Sequence, residues 1–134
     1  MTEKMITSKE ILKNLGPVEI QKYQQNRYPC FFIDMIEEAI PGKSAKGYKN
    51  FTYNEWFFPA HFEDEPNVPG FIQIETMAQV FLMTFLTLPG NKGKKAAAVT
   101  SKAKFKQKIE PGHRLDIEAV LNSYTRGLAI GKVS

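Results

Sequence analysis

The side chains best suited to chemistry lie in residues 56–79, WFFPAHFEDEPNVPGFIQIETMAQ. His61 stands in a loop punctuated by Pro59, Pro66 and Pro69, and Glu75 follows fourteen residues later in an almost wholly apolar segment. Taking a carboxylate out of water costs several kcal/mol unless it is paired or neutralised. The chain has only two histidines, so one of them this close upstream stands out. Together these types point to proton transfer. A neutral imidazole, with an ordinary pKa of about 6.5, serves as base. A carboxyl group shielded from water is pushed toward its protonated form and serves as acid.

The elements that must hold these groups can be read from punctuation and periodicity. Residues 71–88 run without glycine or proline and stop at Pro89-Gly90. Apolar side chains fall on every face, which predicts a helix buried all round. Residues 8–15 read as a short helix with Ser8 as N-cap and Gly16 as stop. Residues 17–25 read as a second helix opened by Pro17, broken by Arg27-Tyr28-Pro29. Residues 30–39 and 44–53 read as a hairpin about the Pro41-Gly42 turn, with loop over 54–70. Residues 95–107, 113–124 and 128–134 read as strands separated by Pro111-Gly112 and Arg126-Gly127. An antiparallel sheet around one long helix, an α+β arrangement, satisfies this order.

Composition narrows the function. One domain spanning 1–134 is expected at this length. The chain is 43% hydrophobic, with ten Phe, five Tyr and one Trp, enough for a real core. The single cysteine, Cys30, excludes an internal disulfide framework and predicts a reduced, cytoplasmic setting. One Cys and two His leave too few ligands for a zinc site. The N-terminal residues lack the apolar run of a signal peptide. The longest apolar run, 80–88, is far shorter than the roughly 18 residues of a membrane span. A net charge of +4 permits an acidic partner without demanding nucleic acid.

These residues resemble the hot-dog-fold 3-hydroxyacyl-acyl carrier protein dehydratases of fatty acid synthesis. The resemblance runs through Arg27-Tyr28-Pro29, Phe32-Ile33-Asp34, Pro41-Gly42-Lys43, Phe57-Phe58-Pro59, His61-Phe62, Pro69-Gly70, Gln73-Ile74-Glu75 and Met77-Ala78-Gln79. It continues through Ser101-Lys102-Ala103-Lys104-Phe105, Pro111-Gly112 and Arg126-Gly127, covering nearly the whole chain. It implies a homodimer, often three dimers to a hexamer. Each site then combines His61 of one protomer with Glu75 of its neighbour. It implies a substrate carried by acyl carrier protein and no metal, nucleotide or flavin. The Gly70 N–H at the helix start would steady the thioester oxygen. Gln79, one turn beyond Glu75, would hold its carboxyl group or touch substrate, and Phe62 would line an acyl tunnel.

Lys102, Lys104, Lys106 and Lys108 alternate with Ala103, Phe105 and Gln107, so in a strand the lysines share one face. A solvated outer face is the plainer reading. The other is a docking patch for the acidic carrier protein, with Arg126 or Lys94. His113 reads as a surface residue and Cys30 as core.

The chain departs from the family at Ala60 (usually glycine), at Asn67 (usually apolar), at Asn26 (usually histidine) and at the acidic run Glu63-Asp64-Glu65. The family also continues one strand beyond residue 134, so a C-terminal strand is expected to be missing here. The leading expectation is a hydro-lyase giving a trans-2-enoyl thioester. The alternatives are a hot-dog thioesterase or a non-catalytic acyl-chain binder or partner subunit.

Overall fold

The structure, a computed structural model, describes residues 10–134. Its elements are β1 (Leu12–Leu15), α1 (Pro17–Ile20), β2 (Met35–Ile40), β3 (Ser44–Asn50), α2 (Gly70–Leu82), β4 (Arg114–Thr125) and β5 (Leu128–Val133). The strands form one sheet in the order β1-β2-β3-β4-β5, every pair antiparallel. α2 packs across β3, β4 and β5. This is the α+β, sheet-over-helix arrangement expected from the sequence.

The β2–β3 hairpin forms where the Pro41-Gly42 turn predicts it. Gly42 has φ +79°, a region that costs glycine nothing. Alternation then fills the core. On β3 the buried positions are Ala45, Gly47 and Lys49, and on β4 they are Ile117 and Ala119. With Ile33, Ile36, Ala39, Val80 and Met83 these apolar residues form the cluster between sheet and helix. A second cluster, Phe32, Phe51, Phe57, Phe58, Val68 and Ile72, lies under the loop that follows β3.

Several expectations need correction. Leu12–Leu15 is a strand rather than part of a helix, its register set by pairs such as Leu12 with Ala39. Pairing with β2 outweighs the weak helical preference of a short segment. The proposed Ser8 cap lies outside the described residues. α1 is one turn and ends at Ile20. β2 begins at Met35, five residues later than expected.

α2 stops at Leu82, and irregular turns carry the chain to Gly90. Nor is α2 buried all round. Ile72, Thr76, Gln79 and Val80 are buried, whereas Phe71 is 66% exposed and Ile74, Ala78, Phe81 and Leu82 are partly open. One sheet covers one side of a helix, and the far apolar face is left uncovered within a single chain. No helix among the described residues is long and apolar enough to cross a membrane.

Residues 95–107 form no strand among the described residues, and all of them are exposed. The lysine alternation there therefore has no sheet face to define. A period of two records only an extended chain, and a ladder needs a neighbour for its N–H and C=O groups.

Gly47 shows how closely β2 and β3 approach. A Cβ there would stand 2.6 Å from the Met35 carbonyl oxygen and 2.9 Å from Ile36 Cδ1, beside the register shift at Ile36 and Glu38. Gly47→Ala is therefore expected to destabilise the fold by about 1–3 kcal/mol through overpacking, read as a lower urea midpoint with an unchanged slope.

Candidate active site

The aromatic cluster builds the floor of the site. Phe57 meets Phe32, Phe51 and Phe58 with ring centroids 6.4, 6.0 and 5.0 Å apart. The first two are edge-on contacts, a geometry favoured by ring quadrupoles. Beside them Lys49, only 8% exposed, is held by Glu55 at 2.8 Å and Asp34 at 3.8 Å. Burial of an ammonium requires such partners, and this one ties β3 to the loop.

Overlapping turns then carry the chain to the histidine, with Phe58 N–H bonded to Glu55 O, Ala60 N–H to Phe57 O and His61 N–H to Phe58 O at 3.1–3.3 Å. Ala60 is exposed and is not among the residues with positive φ, so alanine fits where the family usually has glycine.

Residues 61–67 fold back on themselves. Phe62 and Glu65 exchange both backbone hydrogen bonds at 3.2 Å, and Asn67 N–H donates to His61 O at 2.9 Å. His61 is half-buried, its ring stacked on Phe62 with centroids 4.4 Å apart. Its Nδ1 lies 3.3 Å from the Asn67 carbonyl oxygen. A carbonyl only accepts, so this contact places the proton on Nδ1 and leaves Nε2 as the basic nitrogen.

His61 opens onto a concavity of about 370 Å³ that Gly70, Gln73, Phe105, Lys106 and Lys108 also line. Gly70 is the first residue of α2. The helix start has Pro69 as N-cap, no side-chain cap and no acid in its first turn. Its positive dipole end is thus left uncompensated beside His61. The Phe105 ring lies against Gly70, 3.1 Å from where a Cβ would stand. Val68 N–H donates to Ile109 O at 2.8 Å and pins the far wall of the concavity to the histidine loop.

Glu75 does not line this concavity. It is half-buried on α2, not enclosed as the apolar surroundings predicted, because the face of the helix that carries it is partly open. Gln79 Nε2 donates to Glu75 Oε2 at 2.9 Å. Gln79 itself is fully buried. Its Nε2 also donates to Cys30 O at 2.8 Å, and its Oε1 accepts from Phe32 N–H at 2.8 Å. Both N–H donors of this amide are thus used, one of them bracing Glu75.

Phe62 is 55% exposed beside His61. Of the docking candidates, Lys106 and Lys108 line the concavity. Lys102 and Lys104 are exposed on the same irregular segment, and Arg126 sits exposed in the β4–β5 turn. His113 is exposed, as expected. Cys30 is exposed rather than core. The structure adds two contacts that side-chain reading missed. The Asn67 carbonyl is a backbone group and leaves no trace in residue type. Lys108 pairs with Glu65, across 43 positions of sequence.

Comparison with known proteins agrees with this architecture. A family model described as FabA-like domain matches residues 25–133. The 3-hydroxyacyl-acyl-carrier-protein dehydratase FabZ of Clostridium novyi is 44% identical over 119 residues, covering 88% of this chain and 84% of that protein. The FabZ dehydratase of Natranaerobius thermophilus is 42% identical over 115 residues, covering 85% of this chain and 81% of that protein. One from Clostridium botulinum is 43% identical over 115 residues, covering 85% and 80%. With its sheet packed over one helix and its histidine loop beside that helix's N-terminus, this chain belongs to the FabA-like family.

Proposed function

We propose that this chain dehydrates a 3-hydroxyacyl thioester borne by acyl carrier protein to the trans-2-enoyl thioester, in fatty acid or lipid synthesis. The observation that carries this reading is one concavity shared by His61, its Nδ1 facing the Asn67 carbonyl, and the uncapped start of α2 at Gly70. In this reading His61 Nε2 takes the proton from C2. The Gly70 N–H and the helix dipole stabilise the negative charge that develops on the thioester oxygen. The C2–H electron pair forms the C2=C3 double bond as the C3–O bond breaks. Glu75 gives its proton to the departing oxygen, which leaves as water. Proton transfer from His61 back to Glu75 resets the pair.

Glu75 reaches the histidine of a second copy of the chain in this proposal. Two observations support it. Glu75 stands outside the concavity of its own chain, and the apolar face of α2 around Phe71, Ile74 and Ala78 is uncovered. The functional unit is then a homodimer, or three such dimers, acting in the cytoplasm. Lys106, with Lys102, Lys104 and Arg126, offers positive charge to the acidic carrier protein.

The acidic run after His61 is partly neutralised where it stands. Lys108 beside Glu65 holds the Glu65 carboxyl group below its ordinary value of 4.5, through a hydrogen bond first and charge second. Glu65 in turn holds Lys108 above 10.5. The folded Glu65 value is depressed, so the pair's contribution is present above the ordinary carboxylate range. It is lost as pH falls through the depressed value.

Three outcomes are expected. Wild-type protein given a 3-hydroxyacyl carrier-protein thioester produces enoyl absorbance, and His61→Ala or Glu75→Gln lowers kcat by about 10²–10⁴-fold. No product from wild type, or undiminished product from both variants, refutes the assignment, and free thiol without enoyl product identifies a thioesterase instead. Mixing the two inactive variants under subunit exchange restores about a quarter of wild-type activity, since only heterodimers rebuild one intact site. No recovery would mean that the two groups act within one chain. In an NMR titration the Glu65 carboxyl midpoint lies below 4.5 and returns toward it in Lys108→Ala.

A further inference from the structure

Gln24 lies in the connection between α1 and β2, outside the His61 concavity, yet its side chain is fully buried. A buried amide is costly unless its polar atoms are satisfied, and its partners here indicate what it does. α2 tightens at its end. Met83 N–H donates to Val80 O at 3.0 Å and Thr84 N–H to Phe81 O at 2.9 Å, a three-residue spacing instead of four. The Gln79 carbonyl thereby gives up the donor that a regular helix would offer it. Gln24 Nε2 takes that place at 3.0 Å. Asn26 Nδ2 donates to Gln24 Oε1 at 2.8 Å, which decides which end of the Gln24 amide faces Gln79. Arg27 fastens the same turn through the carbonyls of Gln24 and Gln21 at 2.8 and 2.9 Å.

We propose that Gln24 is a positioning residue for the dehydration, acting on Glu75 through Gln79, with Asn26 setting its orientation. The inference rests on the reading of Glu75 as the acid. Three bonds tie Gln79 to residues 24–32: Gln24 at its backbone carbonyl, Cys30 and Phe32 at its side-chain amide. The remaining bond runs from Gln79 to the Glu75 carboxylate. Loosening the backbone tie lets the Gln79 amide drift, and the carboxylate loses the donor that aims it. Neither Gln24 nor Asn26 touches the concavity, so the effect falls on turnover and leaves substrate binding intact.

Steady-state kinetics on the full chain test this, using a 3-hydroxyacyl carrier-protein thioester. Gln24→Met keeps the length and bulk of the side chain and removes its donor. We expect kcat to fall roughly tenfold to a hundredfold, the scale of a small misplacement of a reacting group, with KM unchanged. The fraction folded is checked by circular dichroism. Gln24→Met combined with Gln79→Met should lose no more than the worse single variant, because both act along one chain of contacts.

A folded Gln24→Met protein with wild-type kcat overturns the proposal, as does a loss that multiplies with Gln79→Met. If Gln24→Met fails to fold, Asn26→Ala takes its place, with a fall in kcat at constant KM expected and unchanged kcat overturning the idea. Wild-type protein without turnover would remove the dehydratase reading and this inference together. Wild-type turnover with unaffected variants would remove only the inference.

Discussion

The geometry of this molecule depends on one saturated amide. Gln79, inside α2 and fully buried, bonds Cys30 and Phe32 through its side chain and Gln24 through its carbonyl. Each bond contributes only about 1 kcal/mol net, yet a buried polar group left unpaired costs about 1–3 kcal/mol. The asymmetry makes the arrangement nearly all-or-none. Segment 24–32 has no regular secondary structure, and these bonds give its backbone groups a destination. They also fix α2 against that segment, and so fix where Glu75 stands.

Around that anchor two cores do different jobs. The aliphatic cluster between β2, β3, β4 and α2 sets the sheet over the helix. The aromatic cluster lies under the loop at 54–69 and holds it rigid enough to present an imidazole. A loop that carries a base cannot rely on ladder hydrogen bonds. It is held here by packed rings, by Lys49 bridging to Glu55, and by the closed turn of residues 61–67. In the proposed reaction the backbone shares the chemistry, since the Asn67 carbonyl faces His61 Nδ1 and the helix start supplies positive potential.

Much of this was legible in the chain. The Pro41-Gly42 hairpin, the helix that begins at Gly70 and the late β4–β5 pair all follow from punctuation and period. His61 and Glu75 stood out because histidine is scarce and an acid is out of place among apolar neighbours. The misreadings share a cause. Apolar residues on every face of α2 predicted full enclosure, but a sheet covers only one side of a helix, and periodicity says nothing about which neighbour covers the other. The alternating lysines at 102–108 predicted a strand face, but an extended segment becomes a strand only when another backbone pairs with it. Gln24 escaped notice because it looks like any polar residue near a helix end. Only the altered hydrogen-bond spacing of α2 near Met83 makes it necessary.

Residue types and their spacing along the chain determined the fold class and the two groups able to move protons, because those depend on local pattern and intrinsic chemistry. Tertiary structure alone decided that the imidazole shares its cavity with the start of α2 and not with Glu75. It also decided which nitrogen is basic, and that Lys108 meets Glu65 across the chain. Those are distances between groups far apart in sequence, and they exist only once burial and hydrogen-bond satisfaction have chosen one packing of the elements.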